Sequence, residues 1–399
     1  MEINLIIFIF KAFILNMLLN LKLFLSINIF SASIKINMIQ YLWNIYNFVI
    51  RIILYYNKIV LKSSRTWVTI EIRNITEKVK GRDNLMKALI VDYVSDIIEK
   101  ELKELGFEVD KEMLPTSEKL AEIIAPYDLL VMRVDPFIDK NVLDSAKNLK
   151  AIMVGSTGTN HIDLEYAKEK GIEVCNSPGQ NANAVAELVF CKALDLYRNS
   201  YQAQHEIKED GIWNKYRWIG RELRNKTMGI VGFGAIGRRV AEIARVFKMD
   251  VVAYDPFYKP QNNDFDFVEL LDFDELCKRA DIITLHLPLT PDTKNMISDK
   301  QMEEMKDGTV LINAARGGII DEEALYKYIK NGKLGGANLD TLADELGSGG
   351  LDTQDVKVSS PLFELDRVYV TPHIGGSTID AQDDIGRVVM TNVKKVFNL

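Results

Sequence analysis

Residues 1–80 contain no glycine, no proline and no aspartate, although the 399-residue chain holds 24 glycines and 10 prolines. A segment without these turn formers does not read as part of a compact α/β domain. Ile, Asn, Leu, Phe and Lys take their place. Lys11, Lys22, Lys35 and Arg51 interrupt the apolar stretches, so no uncharged run reaches the roughly 18 residues that a membrane span needs. Residues 1–85 are therefore read as a non-domain extension. It is either AT-rich upstream sequence translated from a mis-assigned start, with Met86-Lys87-Ala88-Leu89-Ile90-Val91-Asp92 opening like a first strand, or an anchor with basic residues at a membrane interface. A cleaved signal peptide fits less well, because no small-residue cleavage site follows a single short apolar core.

Cysteine is also scarce. Cys175, Cys191 and Cys277 are odd in number and lack CxxC spacing, which argues against a disulfide framework and against zinc, and no metal is expected. Residues 86–399 carry 38 lysines and arginines against 52 acids, a net of −14, which excludes a nucleic-acid binder of the usual basic kind. The expected location is cytoplasmic, or membrane-associated if residues 1–85 are made.

The most informative feature present is Met228-Gly229-Ile230-Val231-Gly232-Phe233-Gly234-Ala235-Ile236-Gly237, followed eighteen residues later by Asp255. Residues 227–232 read as a buried strand. Gly232, Gly234 and Gly237 remove side chains where the chain turns tightly and a pyrophosphate approaches the backbone, and the helix 235–247 presents its positive end. A second strand ends in Asp255, whose carboxylate accepts hydrogen bonds from the ribose hydroxyls and repels a 2′-phosphate. The spacing favours NAD over NADP.

From Met86 onward, short apolar runs alternate with helical-period segments, the pattern of α/β domains with parallel sheets. The first set has strands near 87–92, 107–109, 128–133, 150–154 and 171–174. A helix from near Asn183 leads to a second set at about 227–232, 250–254, 281–286, 309–313, 335–339 and 367–370. The closing segment, 379–397, is amphipathic, with Ile379, Ile385, Val388, Val389, Val393 and Val396 on one face, and is placed to cross back to the first set. The expected architecture is two doubly wound parallel-sheet domains, a Rossmann cofactor domain (184–371) inserted in a flavodoxin-like substrate domain (86–183 plus 372–399).

Arg316, Glu345 and His373 each follow a strand of the second set, where open α/β sheets bind ligands. A 2-oxo acid presents a carboxylate and a carbonyl. The planar guanidinium of Arg316 suits the first, and a group titrating near neutrality, His373, suits protonation of the oxygen as charge develops there. A carboxylate orients such an imidazole, and Glu345 is placed for this by chain order. His286 reads as a pocket-shaping residue, His161 as part of a turn and His205 as a solvated helix residue.

At these residues the sequence resembles the D-isomer-specific 2-hydroxyacid dehydrogenases, over essentially all of 86–399. The segments that carry the likeness are Gly155-Ser156-Thr157-Gly158-Thr159-Asn160-His161-Ile162-Asp163, Asn176-Ser177-Pro178-Gly179, Asn183-Ala184-Val185-Ala186-Glu187, the glycine run, Ala315-Arg316-Gly317-Gly318 and Thr371-Pro372-His373-Ile374-Gly375-Gly376-Ser377-Thr378. The resemblance implies that Arg316, Glu345 and His373 are catalytic, that Asp340 holds the nicotinamide carboxamide, and that Ser156, Thr157 and Gly158 cradle the substrate carboxylate with Arg316. It also implies a homodimer through the cofactor domain. The expected cofactor contacts are Gly232, Gly234, Ala235, Ile236, Gly237, Asp255, Pro288, Ala314, Ala315, Arg316, Asp340, His373 and Gly375.

Two departures bear on substrate. Phosphoglycerate dehydrogenases resemble one another in an Arg before the cradle loop, where Val154 stands here. Asp344 and Glu345 are adjacent acids, so either is a candidate partner for His373. The expected activity is reversible hydride transfer between NAD(H) and a small acid such as glyoxylate, hydroxypyruvate or a pyruvate-like acid. The alternatives are a phosphoglycerate dehydrogenase-like enzyme without a regulatory domain, and a non-catalytic NAD-sensing dimer.

Overall fold

The computed structural model describes residues 58–62, 67–71, 85–260, 264–344 and 357–399. Met1–Asn84 and Leu85–Leu399 form separate units. In the first, β1 (Lys58–Lys62) and β2 (Trp67–Glu71) pair antiparallel, with Lys58 opposite Glu71. The remainder of the 1–85 reading lies outside the described residues, as does Glu345.

The second unit opens with β3 (Lys87–Ile90), α1 (Asp96–Glu104), β4 (Glu108–Lys111), α2 (Ser117–Ile123), β5 (Leu129–Met132), α3 (Lys140–Ser145), β6 (Ala151–Val154), α4 (Leu164–Glu169) and β7 (Glu173–Cys175). The helices start where short polar side chains cap them: Ser95 accepts from the Ile97 N–H, Thr116 from Lys119, Asp139 from Val142 and Asp163 from Tyr166. The strands form one parallel sheet in the order β4-β3-β5-β6-β7, the flavodoxin-like order. Successive side chains alternate faces. Leu89, Leu130, Met132, Ile152 and Val154 enter one core, and Ala88, Ile90, Leu129, Val131, Ala151 and Met153 the other, so both faces are buried.

The chain continues through α5 (Ala182–Arg198), α6 (Ser200–Asp210), β8 (Thr227–Val231), α7 (Ala235–Val246), β9 (Asp250–Tyr254), β10 (Val268–Leu270), α8 (Phe273–Arg279), β11 (Ile282–Leu285), α9 (Asp299–Glu304), β12 (Thr309–Asn313), α10 (Glu322–Lys330), β13 (Leu334–Leu339), β14 (Val368–Val370) and α11 (Ile379–Val396). These strands form a parallel sheet in the order β10-β9-β8-β11-β12-β13-β14, which is the Rossmann order with a further strand at the β14 edge. Sequence patterning anticipates all of them except β10, an edge strand of three residues too short to show a period.

Helix α11 packs against α1, β6 and β7 of the first sheet. Its buried residues are Ala381, Ile385, Gly386, Val389, Met390 and Val393. Ile379, expected on the same face, is instead 82% exposed, because it begins the first turn beyond the edge of that core.

Candidate active site

The glycine run sits where β8 gives way to α7. Gly232 has φ +94, and a Cβ there would lie 2.6 Å from the His286 carbonyl oxygen. A Cβ on Gly237 would lie 2.2 Å from the Gly232 carbonyl oxygen, so that glycine lets α7 seat against the strand. Gly234 differs: beyond its chain neighbours, no atom of the described residues lies within 4 Å of where its Cβ would be. The open face at Gly234, at the start of α7 with Ala235 and Ile236, leaves space for a pyrophosphate against the helix N-terminus. Asp255, at the end of β9, accepts from the Phe233 N–H through Oδ2 at 2.8 Å and from the Phe257 and Tyr258 N–H groups through Oδ1 at 2.8 and 3.1 Å. With roughly four lone-pair sites on a carboxylate, three are used and one remains for a ribose hydroxyl.

Along the same sheet edge, Pro288 follows β11, Ala314, Ala315 and Arg316 follow β12, Asp340 follows β13, and His373 and Gly375 follow β14. Asn313 shapes the β12 end, its Nδ2 donating to the Arg316 carbonyl at 2.8 Å and its Oδ1 accepting from the Ala315 N–H at 3.1 Å. Arg316 is half-buried, and its Nη1 donates to the Ala315 carbonyl at 2.7 Å. Its Nη2 lies 3.4 Å from where a Cβ of Gly158 would be, so a cation from the seven-stranded sheet reaches the Ser156–Gly158 loop of the five-stranded one. Within that loop, Ser156 Oγ donates between the Arg133 and Gly158 carbonyls, at 3.0 and 2.9 Å, and Asn176 Nδ2 donates to the Thr157 carbonyl at 2.7 Å.

His373 is exposed and held at φ +51, with its N–H donating to the Asp340 carbonyl at 2.8 Å and the Thr371 carbonyl at 3.0 Å. Asp340 is 1% exposed. Its Oδ1 accepts from the Thr371 hydroxyl at 2.5 Å and the Ile374 N–H at 3.1 Å, and its Oδ2 accepts from the Gly375 N–H at 2.7 Å. His286 stands beside the glycine turn, its Nε2 3.0 Å from the Thr284 hydroxyl and its Nδ1 buried without a partner. Burial alone pushes its pKa down to about 3, so the ring is neutral at physiological pH. His161 is also buried. Its pKa is lowered by desolvation, against the opposing charge of Asp92, and its carbonyl accepts from the Ile138 N–H at 2.8 Å, the turn role the sequence indicates.

Two charged residues at the site escape sequence reasoning. Arg133, after β5, lays its side-chain stem 3.2 Å from the Cβ position of Gly155, beside the cradle loop. Lys192 lies in the middle of α5 and is 2% exposed. Its ammonium donates to Asn338 Oδ1 at 2.7 Å, Thr371 Oγ1 at 2.6 Å and the Leu339 carbonyl at 3.4 Å. The only hint in the sequence is a lysine interrupting the apolar face of Val189, Phe190, Ala193 and Leu196.

A family model described as the NAD-binding domain of the D-isomer-specific 2-hydroxyacid dehydrogenases matches residues 190–375. A hydroxypyruvate reductase of Thermotoga maritima is 40% identical over 310 residues, covering 76% of this chain and 96% of its own. The chain belongs to the D-isomer-specific 2-hydroxyacid dehydrogenases. A D-3-phosphoglycerate dehydrogenase of Methanocaldococcus jannaschii is 40% identical over 314 residues, or 78% of this chain. This dehydrogenase-family chain spans 58% of that relative's length and 56% of a second one from Archaeoglobus fulgidus. Among solved structures, the D-lactate dehydrogenase of Aquifex aeolicus, complexed with NAD and lactic acid, aligns with a TM-score of 0.66 at 30% identity, over 78% of this chain and 96% of that one. The cofactor of the family domain is NAD, and the open face at Gly234 with the acceptor Asp255 fits it. No described helix is long and apolar enough to cross a membrane.

Proposed function

We propose that this chain transfers a hydride reversibly between NAD(H) and C2 of a small D-2-hydroxy acid and its 2-oxo acid, with glyoxylate, hydroxypyruvate and pyruvate-like acids as the substrate class. The observation that carries the reading is Arg316 lying against Gly158, which sets a planar cation beside a loop suited to a carboxylate. When bound, the nicotinamide supplies or receives the hydride. Arg316 grips the substrate carboxylate together with the Ser156-Thr157-Gly158 backbone, and His373 gives its proton to the C2 oxygen as negative charge grows there. Glu345 or its neighbour Asp344 is assigned to orient the imidazole and stabilise its protonated form. In this reading 86–183 plus 372–399 make the substrate lobe and 184–371 the cofactor lobe. The three free cysteines accord with a cytoplasmic location.

The position of Arg133 beside Gly155 supports a second substrate reading, a phosphorylated 2-hydroxy acid, since it supplies the cation that Val154 lacks. The partner of the cofactor lobe is assigned as a second copy of the chain. Helix α6 and the segment after it expose Tyr201, Ile207, Ile212, Trp213, Tyr216 and Ile219, with Trp213 84% exposed, and the buried Glu206 ties that segment down through Arg217 and the Trp218 Nε1 at 2.7 Å.

The test is NADH oxidation by the purified protein against a panel of 2-oxo acids including 3-phosphohydroxypyruvate. His373→Ala is expected to lower turnover by about 10²–10⁴-fold, and Arg316→Ala to remove most of it, with NADH binding retained in both. NADH binding without turnover of any acid by the native protein would instead establish a nucleotide-sensing protein.

A further inference from the structure

A buried ammonium is costly, and a methionine or leucine at position 192 would pack among Val189, Ala193 and Leu196 without that cost. Lys192 nevertheless stands there, charged side chain inward, with three acceptors for its three N–H groups. The hydrogen-bond direction runs one way. Lys192 donates to the Thr371 hydroxyl, which has a single proton and donates it to Asp340 Oδ1. The buried carboxylate then accepts from the Ile374 and Gly375 N–H groups, and the Asp340 carbonyl accepts from the His373 N–H. Burial pulls the Lys192 pKa below the ordinary lysine value, and the nearby Asp340 acts in the opposite direction.

We propose that Lys192 is a positioning residue for the turn that carries His373: its ammonium, relayed through the Thr371 hydroxyl, holds the Asp340 carboxylate on the Ile374 and Gly375 N–H groups. The same helix reaches this turn at its other end. The Cβ position of Gly375 lies 3.4 Å from a Val185 methyl, and that of Gly376 lies 2.8 Å from Asn181 Nδ2, so α5 grips the 373–376 strap by charge in its middle and by packing at its start. The inference rests on the dehydrogenase reading only in naming His373 as the acid served.

The experiment compares Lys192→Met, Thr371→Val, Thr371→Ser and the Lys192→Met/Thr371→Val double variant. Turnover, 2-oxo acid KM, and the affinities for NADH and for ADP-ribose, which lacks the nicotinamide, are measured for each. Lys192→Met and Thr371→Val are each expected to lose about tenfold in kcat and in the ratio of NADH to ADP-ribose affinity, with ADP-ribose affinity unchanged. Thr371→Ser, which keeps the relay, is expected to stay close to native, and the double variant to be no worse than Lys192→Met. Native kcat and affinity ratio in Lys192→Met, or single-variant losses that multiply in the double variant, overturn the relay. If Lys192→Met also loses ADP-ribose binding, its fold has failed, and the Val and Ser variants of Thr371 decide: equal behaviour of the two overturns the proposal. Should the native protein bind NADH but reduce no 2-oxo acid, the dehydrogenase reading falls, and the affinity ratio alone judges the relay.

Discussion

A methyl group on Gly317 would lie 1.8 Å from the carbonyl oxygen of Leu342, so the loop after β12 and the loop after β13 meet backbone to backbone. The neighbouring residues are Arg316 on one side and Ala343 and Asp344 on the other. The approach of the Arg316 loop to the Leu342-Ala343 backbone is set by the absence of one side chain. Gly317→Ala is therefore expected to cost about 3 kcal/mol or more of stability, measured by urea denaturation, because neither backbone can yield as a flexible side chain would. Turnover should fall even at temperatures where the variant is folded. Native stability in Gly317→Ala would show that the two loops move apart freely.

Asp255 braces three backbone N–H groups and, in the proposed reading, also presents an acceptor to the ribose. Asp255→Ala is expected to weaken NADH binding about tenfold and to narrow the preference over NADPH. The orphaned N–H groups should cost about 1–3 kcal/mol in unfolding free energy. Fluorescence titration with both nucleotides checks the first point. An unchanged NADH-to-NADPH ratio would move coenzyme choice to another residue.

His286 predicts a pH dependence. Its folded pKa of about 3 lies below the ordinary histidine value of 6.5, so at lower pH the unfolded chain binds a proton that the folded one refuses. Stability from this group is complete above pH 6.5 and is lost as pH falls from 6.5 toward 3. The slope approaches about 1.4 kcal/mol per pH unit well inside that window. Chemical denaturation of the native protein and His286→Gln at pH 7.5 and 5 should show the gap between them closing at the lower pH.

Trp213 and Ile219 are 84% and 75% exposed on the segment after α6. Replacing both with Glu is expected to convert the proposed dimer to a monomer in sedimentation equilibrium while NADH binding remains, since neither residue lies at the strand ends. An unchanged mass would place the partner surface elsewhere.

The sequence made most of the fold legible because a parallel sheet buried on both faces writes itself as short apolar runs separated by helical-period segments. Strand β10 was not legible, since three residues at a sheet edge carry no period. Asp340 entered only through the family resemblance, whereas the positions of Arg316 and His373 near strand ends were readable because each lies just past an apolar run. Lys192 was not, because its partners Asn338 and Thr371 lie 146 and 179 residues away in the chain, and a lone lysine on a helix reads as solvated until the strand ends are folded beneath it. Arg133 escaped for the same reason, since its place beside Gly155 depends on the register of β5 against β6.

The return of α11 to the first sheet has a consequence for synthesis. Ala88, Ile90, Leu129, Val131, Ala151 and Met153 share a core with Ile385, Val389, Met390 and Val393, and Lys394 pairs with Glu101, 293 positions earlier. A nascent chain therefore carries one face of β3, β5 and β6 covered only in part, by Ile98 and Leu102 of α1, until α11 has emerged, while the seven-stranded sheet already has its own helices on both faces. The lobe begun first is finished last. Ribosome-bound intermediates would present that apolar face to chaperones, and stalling just before Ile379 would leave a folded nucleotide lobe attached to an unfinished partner.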